Sequence, residues 1–417
     1  MAQNFRENYS VMVSLVPVTT NRIAQHLPLL QLLPQGTHHA WVRSGDGLVG
    51  WGEYASIRVS GRDRFDQVRT WWHQQLETFQ VSNAVHGSGT GPVLFTSFSF
   101  DRNEESIAVI PRVIVGKKGE NSWITWIGSE AQPALPEIAG EFPDQEFSWS
   151  DGTLSEDQWK VRVADAISKI EESRIDKVVL ARDLVATTNK VIDSRPILQT
   201  LAMNYPATWV FAVDGLIGAT PELLLRLSRG MVTSRVLAGT IPKTGDDAKD
   251  LALAASLARS SKDLEEHEYA VRSVAEALEP FCSSTNVPDA PFVLHLANVM
   301  HLATDVTGAL IESAKQVDAF ALLKSLHPSA AVCGTPRNIA FDVIDEIEGM
   351  NRGRYAGPVG WVDARGDGEL GIALRSGQIT DDTIRIFAGC GIVAGSDPDI
   401  ELAESAAKFD AMRSALD

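Results

Sequence analysis

The sequence predicts a mixed α/β (α+β) protein, mostly strand in its first part and helices alternating with strands in its second. Residues 1 to about 150 carry β-rich runs joined by irregular connections. From Leu154 the texture changes, and segments of helical spacing alternate with such runs. With 417 residues, 44% apolar and 22% charged, the chain has globular composition and enough length for one large or two ordinary domains. The change of texture divides the chain into a mainly β part, 1–150, and a mixed part, 151–417.

In chain order, His39 to Trp51 reads as a hairpin with Gly45-Asp46-Gly47 at the turn. Arg62 to Gln80 has helical spacing, with Phe65, Val68, Trp71, Trp72 and Leu76 as a core stripe. Val93 to Phe100 and Ile107 to Val115 are β-rich, and Gly128 to Ser150 reads as a linker or insertion. Ser155 is placed to cap a helix reaching Glu172. Lys177 to Arg182 is a β-rich run, followed by a helix near Arg195 to Met203. Trp209–Val213 and Gly218–Arg226 read as strands flanking a turn. Asp247 to Leu278 is a long helical stretch broken near Ser260-Ser261. Glu369 to Arg375 is a short strand ending in a cation, and Thr383 to Ala388 runs into Gly389-Cys390-Gly391. Asp397 then accepts from the first amides of a final helix, where Pro398 lacks only a proton that had no partner.

A formal charge of −17 argues against nucleic acid, because phosphate backbones are bound by basic faces. It leaves room for a small anion held by local cations or a metal. Val11 to Pro17 and Leu27 to Leu33 are too short to span a membrane. Met1 to Glu7 shows no basic-then-apolar leader. Cys282, Cys333 and Cys390 are scattered, with no C-x-x-C pair, which argues against a disulfide framework or a structural zinc. A cytoplasmic address is expected, and with no coiled-coil pattern a monomer is the expected state.

Three motifs mislead. Gly389-Cys390-Gly391-Ile392-Val393-Ala394 fits a dinucleotide fingerprint, but no second strand with an acidic end follows it. His267-Glu268 lacks the second histidine of a zincin helix at Val271. Arg365-Gly366-Asp367 reads as a turn between strands. Cys333 reads as a buried small residue rather than a nucleophile.

The remaining pieces carry chemistry. Lys177 opens an apolar run, so it is either a strand-edge gatekeeper or an amine against apolar walls that gives up its proton readily. Glu222, after Thr220-Pro221, is an ordinary turn carboxylate or an acid raised by burial. Asp263 and Glu266 lie three apart on the long helix, and Glu401, Glu404 and Lys408 share a face of the last one. The bland reading is two solvated faces. The sharper one is a hard-cation site of carboxylates, suited to Mg²⁺ rather than zinc. Ser325 to Pro336 is a turn-rich loop with no packing rationale of its own.

In order and wording these pieces resemble the chorismate-utilising enzymes: the isochorismate, anthranilate, aminodeoxychorismate and salicylate synthases. The resemblance spans Ser155 to Lys408 through Lys177-Val178-Val179-Leu180-Ala181-Arg182, Thr220-Pro221-Glu222, Ala238-Gly239-Thr240, Lys262 to His267, His301-Leu302, His327 to Pro336 and the C-terminal block. It implies a single large domain of two large packed β-sheets surrounded by helices, with 1–150 as the N-terminal, mainly β half of the same unit and 151–417 as the chorismate-binding catalytic core. It implies Mg²⁺ held by Glu266 and Glu404, with Asp263 and Glu401 supporting through water. Tyr355, Arg375, the Gly389 backbone and Lys408 would meet the substrate's charged groups, while Gly239, Thr240 and His301 line the ring pocket. Lys177 matches the base that activates water, and Glu222 the acid that protonates the leaving hydroxyl. Ala331, three before Gly334, matches the isochorismate branch rather than the salicylate or anthranilate branch. Salicylate synthase is the alternative within the family, and a non-catalytic relic would have lost part of this set. The product would enter menaquinone or siderophore synthesis, alternatives the residues leave open.

Overall fold

Most of the β-rich runs become antiparallel ladders in the computed structural model, which describes residues 15–24, 27–128, 131–138, 140, 142–172, 175–311 and 317–417. The first seven residues, read above as carrying no leader, lie outside that set, as does most of Val11 to Pro17. Among the described residues the ladders join all strands into one 21-stranded network. The fold class is the expected mixed one, with the refinement that hydrogen-bonded connections link the sheets to each other. Strands from the two halves pair directly: Val93–Ser97 lies along Pro358–Asp363, and His38–Arg43 along Trp209–Val213. One apolar core spans both halves, holding Phe98 together with Trp159, Leu180, Phe320 and Ile392. No described helix is long and apolar enough to cross a membrane.

Local chemistry explains where the elements differ from expectation. The first hairpin turns at Ser44-Gly45, with φ of 50° and 81°, while Asp46 already pairs with Arg43. A two-residue turn with both φ positive follows the twist of the flanking strands, so the turn sits one residue early. The helix Arg64–Glu77 stops at Thr78, and Gln80 belongs to a strand, Phe79–Asn83, parallel to Val16–Ile23. Gly218 to Arg226 is not one strand. It breaks at Pro221-Glu222 into Leu216–Thr220 and Leu223–Ser228, because proline cannot donate to a ladder. The expected linker ends in Ser148–Asp151, a strand paired with Leu184 to Thr187.

Four placements matter for the site. Lys177–Thr187 runs antiparallel to Thr383–Ile392, with Gly334-Thr335 on its other side. Met231–Pro242 pairs with Val299–Leu310 through a bulge at Gly239. The helices Asp247–Leu257 and Ser261–Leu278 are separated at Ser260, whose hydroxyl accepts from the Asp263 amide. Asp397 caps Pro398–Leu416 by accepting from the amides of Asp399 and Ile400. The loop from Ser325 to Pro336 does have a packing role: His327, Ser329, Ala330, Val332 and Cys333 are all buried.

Candidate active site

Lys177 is fully buried at the start of its strand, so it is no edge gatekeeper. Its Nζ lies 3.1 Å from Glu266 Oε1, an ion pair without an aligned hydrogen bond. The pair sits where any side chain at position 391 would fall: a Cβ on Gly391 would collide with Glu266 Oε1 and stand 3.0 Å from Lys177 Cε. Glu222, freed from ladder pairing by Pro221, is 4% exposed. Burial pushes its carboxyl up to about 8, against the opposing pull of Lys177 and Lys408.

Glu222 and Glu266 border a cavity of about 70 Å³ that also takes in Gly239, Thr240, His301, Ala331, Tyr355, Arg375, Gly389 and Lys408. Lys177 stands just behind this wall, beside Gly391 and Glu266. Ten of the residues singled out in the sequence thus border one cavity, while Lys177, Asp263, Glu401 and Glu404 do not line it. A wall member the sequence reading passed over is Arg352. Arg352 donates to both Glu348 oxygens (2.7 and 2.5 Å) and to the carbonyls of Val332 and Val179, while Glu348 accepts from the Ala181 amide. This buried pair locks the Lys177 strand to the loop carrying Ala331. Its signal was the spacing of four between 348 and 352.

The acidic helices do converge, so their faces are not solvated. Each carboxylate but one has its own ammonium: Glu266 has Lys177, Glu401 has Lys262 at 2.7 Å, and Glu404 has Lys408 at 2.5 Å. Glu401 is 1% exposed and also accepts from the Ser396 hydroxyl at 2.8 Å. Burial and then the Glu404 charge raise its carboxyl. Burial likewise raises Asp263, whose neighbours include Glu266 and Glu404. Burial opposes the Lys408 charge, but Glu404 outweighs it and raises that ammonium. Lys408 also donates to the Gly389 carbonyl at 2.8 Å. Lys262 belongs to this cluster too, one turn before Glu266, and was read only as part of a motif.

The donor set tests the metal expectation. Hard carboxylate oxygens from two helices suit a hard divalent ion. Among the described residues, ligand atoms of Cys390, Glu401 and Glu404 lie within 4.8 Å of one another. Burial drives the Cys390 thiol well above its usual range, and it donates to the Glu401 carbonyl, so it remains a protonated neighbour. The carboxylates fit the ion, and Glu401 lies beside Glu404 in that cluster.

The opposite wall is cationic. Arg375 is buried with φ of 48°, and its Nη2 lies 3.0 Å from His301 Nε2. Tyr355 stacks on Phe387 at 5.0 Å, and its hydroxyl faces Gly389, where a Cβ would come within 3.2 Å. A cation without a carboxylate, a carboxylate cluster and a protonated acid around one hollow together suit a small polyanion.

Comparison with known proteins agrees. Residues 6–417 match the family described as "Chorismate binding enzyme". The chain is 35% identical over 403 residues to "Isochorismate synthase MenF" of Bacillus subtilis, covering 88% of this chain and 85% of that protein. It is 39% identical over 263 residues to "Salicylate biosynthesis isochorismate synthase" of Pseudomonas aeruginosa, covering 62% of this chain and 54% of that one. Among solved structures, a putative 2,3-dihydroxybenzoate-specific isochorismate synthase of Bacillus anthracis superposes with a TM-score of 0.78 at 29% identity, covering 93% and 98% of the two chains. The menaquinone-specific isochorismate synthase of Escherichia coli shares the fold, with a TM-score of 0.81 at 24% identity over 96% and 95%.

Proposed function

Since the chain belongs to the chorismate binding enzyme family, we propose that it is an isochorismate synthase, an isomerase that moves the hydroxyl of chorismate from C4 to C2. The observation that carries this reading is a carboxyl held up to about 8 in the cavity wall, with a buried lysine just behind that wall. One group takes a proton and the other gives one. For this step Lys177 must act as the free amine and not as the ammonium paired with Glu266; it takes a proton from water, whose oxygen bonds to C2. Both conjugated ring double bonds shift by one position, the C4–O bond breaks, and Glu222 protonates the departing hydroxyl. Ring atoms and charge are conserved, and no redox partner is needed.

Arg375 and Lys408 bind carboxylates of the dianion, and Tyr355 and the Gly389 backbone border its side chain. Gly239, Thr240, His301 and Ala331 shape the ring pocket. Glu266, Glu401 and Glu404, with Asp263 behind them, would hold Mg²⁺, which supplies positive charge against a ring carboxylate. The two relatives named for isochorismate synthesis support the isomerase over the salicylate-forming alternative, as does Ala331 in the loop. We infer a site on a chain that acts alone.

Incubation with chorismate and Mg²⁺, followed by chromatography, tests the reading. Isochorismate is expected as the accumulating product. Release of pyruvate with salicylate, or no turnover of chorismate, would overturn it. Lys177→Ala and Glu222→Gln should each lower turnover by about 10²–10⁴-fold.

A further inference from the structure

We propose that His301 is a positioning residue acting as a fixed proton relay. Held as the neutral Nδ1–H tautomer between Arg375 and Thr240, it aims the guanidinium and leaves the Thr240 hydroxyl as a donor to a substrate oxygen. Naming that oxygen as chorismate's rests on the function proposed above; the tautomer does not.

The assignment follows from which groups can accept. A guanidinium has only donors. With Arg375 Nη2 3.0 Å from His301 Nε2, that nitrogen must accept and carries no proton. A neutral imidazole then bears its proton on Nδ1, which lies 3.1 Å from Thr240 Oγ1. The reverse tautomer would set N–H against N–H at Arg375, and so would an imidazolium. Burial, Arg375 and Lys408, the charges facing the ring, all disfavour that charged form. Thr240 Oγ1 thus accepts from His301. No other described side chain takes its own proton, and it borders the cavity.

The backbone is built for this contact. Register along the two strands runs Ala238↔Leu302 and then Thr240↔His301, with Gly239 as the extra residue of a bulge. Gly239 has φ of +77°, which suits glycine, and a Cβ there would press within 3.0 Å of Asp263 Cβ. Without the bulge, Thr240 would not stand opposite His301. Arg375 has no carboxylate partner among the described ion pairs, so the imidazole is what orients it. The order of protons therefore runs one way, from guanidinium through imidazole to hydroxyl and into the cavity.

The direct test is nitrogen NMR of the substrate-free protein labelled with ¹⁵N-histidine, the His301 signals being assigned by their loss in His301→Asn. The expected result is a protonated Nδ1, a bare Nε2 and no titration between about pH 5 and 9. A protonated Nε2, or a ring that titrates in that range, would overturn the relay. Kinetics give a second reading. His301→Leu should raise KM for chorismate about 10–100-fold with a smaller change in kcat. His301→Asn, which keeps an acceptor and a donor, should recover most of that. Thr240→Val should raise KM about tenfold alone and add little in the His301→Leu background. Additive effects, or an unchanged KM in His301→Leu, would sink the proposal. A correct tautomer in a protein that ignores chorismate would instead count against the proposed function alone.

Discussion

Glu222 keeps its proton at neutral pH because its surroundings offer too little solvation for the carboxylate. As general acid it works in the protonated form, so turnover should fall as pH rises through about 8. A pH–rate profile checks this, and that limb should vanish in Glu222→Gln. The three thiols make a second residue-scale case. Burial pushes Cys333 up to about 12 and raises Cys390 well above its usual range, whereas Cys282 is half-buried. A thiol reagent should label Cys282 in the native protein and reach the other two only after unfolding, as counted by mass spectrometry. The types and spacings of such residues were legible in the sequence, but their burial was not. Lys177 reads equally well as a strand-edge lysine. Only the Gly334-Thr335 segment, more than 150 residues on, covers its strand and decides the matter.

At the scale of elements, capping chemistry carried furthest. The Ser155 capping box, the break at Ser260 and the Asp397 cap all appear where their residues predict. Ser155→Ala should cost about 1 kcal/mol, measured by urea unfolding. Boundaries failed where backbone geometry overrode pattern, as at Ser44-Gly45, or where proline stopped a ladder, as at Pro221. The Glu348–Arg352 pair escaped notice because a spacing of four near a helix end looks like a surface pair. It is buried, and Arg352→Met leaves the Glu348 carboxylate without its cation, with only the Ala181 amide still donating to it. That change should destabilise by about 3–5 kcal/mol, with Glu348→Leu/Arg352→Met less damaging than the single variant. Denaturant midpoints of the three proteins check it.

For the whole molecule, buried histidines set the acid limit. His39 and His327 are each pushed down by burial to about 3, from an ordinary value of 6.5. Neither nitrogen of His39 has a hydrogen bond among the described residues. The unfolded chain takes up these protons below pH 6.5 and the native one does not. Their contribution is intact above that pH and is lost as pH falls toward about 3. The denaturant midpoint should drop across that window, less steeply in His39→Phe. The mixed class and the joining motifs were readable in advance. The linking of both halves into one network was not, since long-range pairings such as that of Val93–Ser97 with Pro358–Asp363 leave no local trace.

The lysine held against each of Glu266, Glu401 and Glu404 has a bearing on preparation and storage. A hollow whose repulsion is already cancelled from within needs no ion to stay assembled. Dialysis against a chelator should silence the enzyme yet leave its melting temperature within about 2 °C, and magnesium added back should restore the rate without any refolding step.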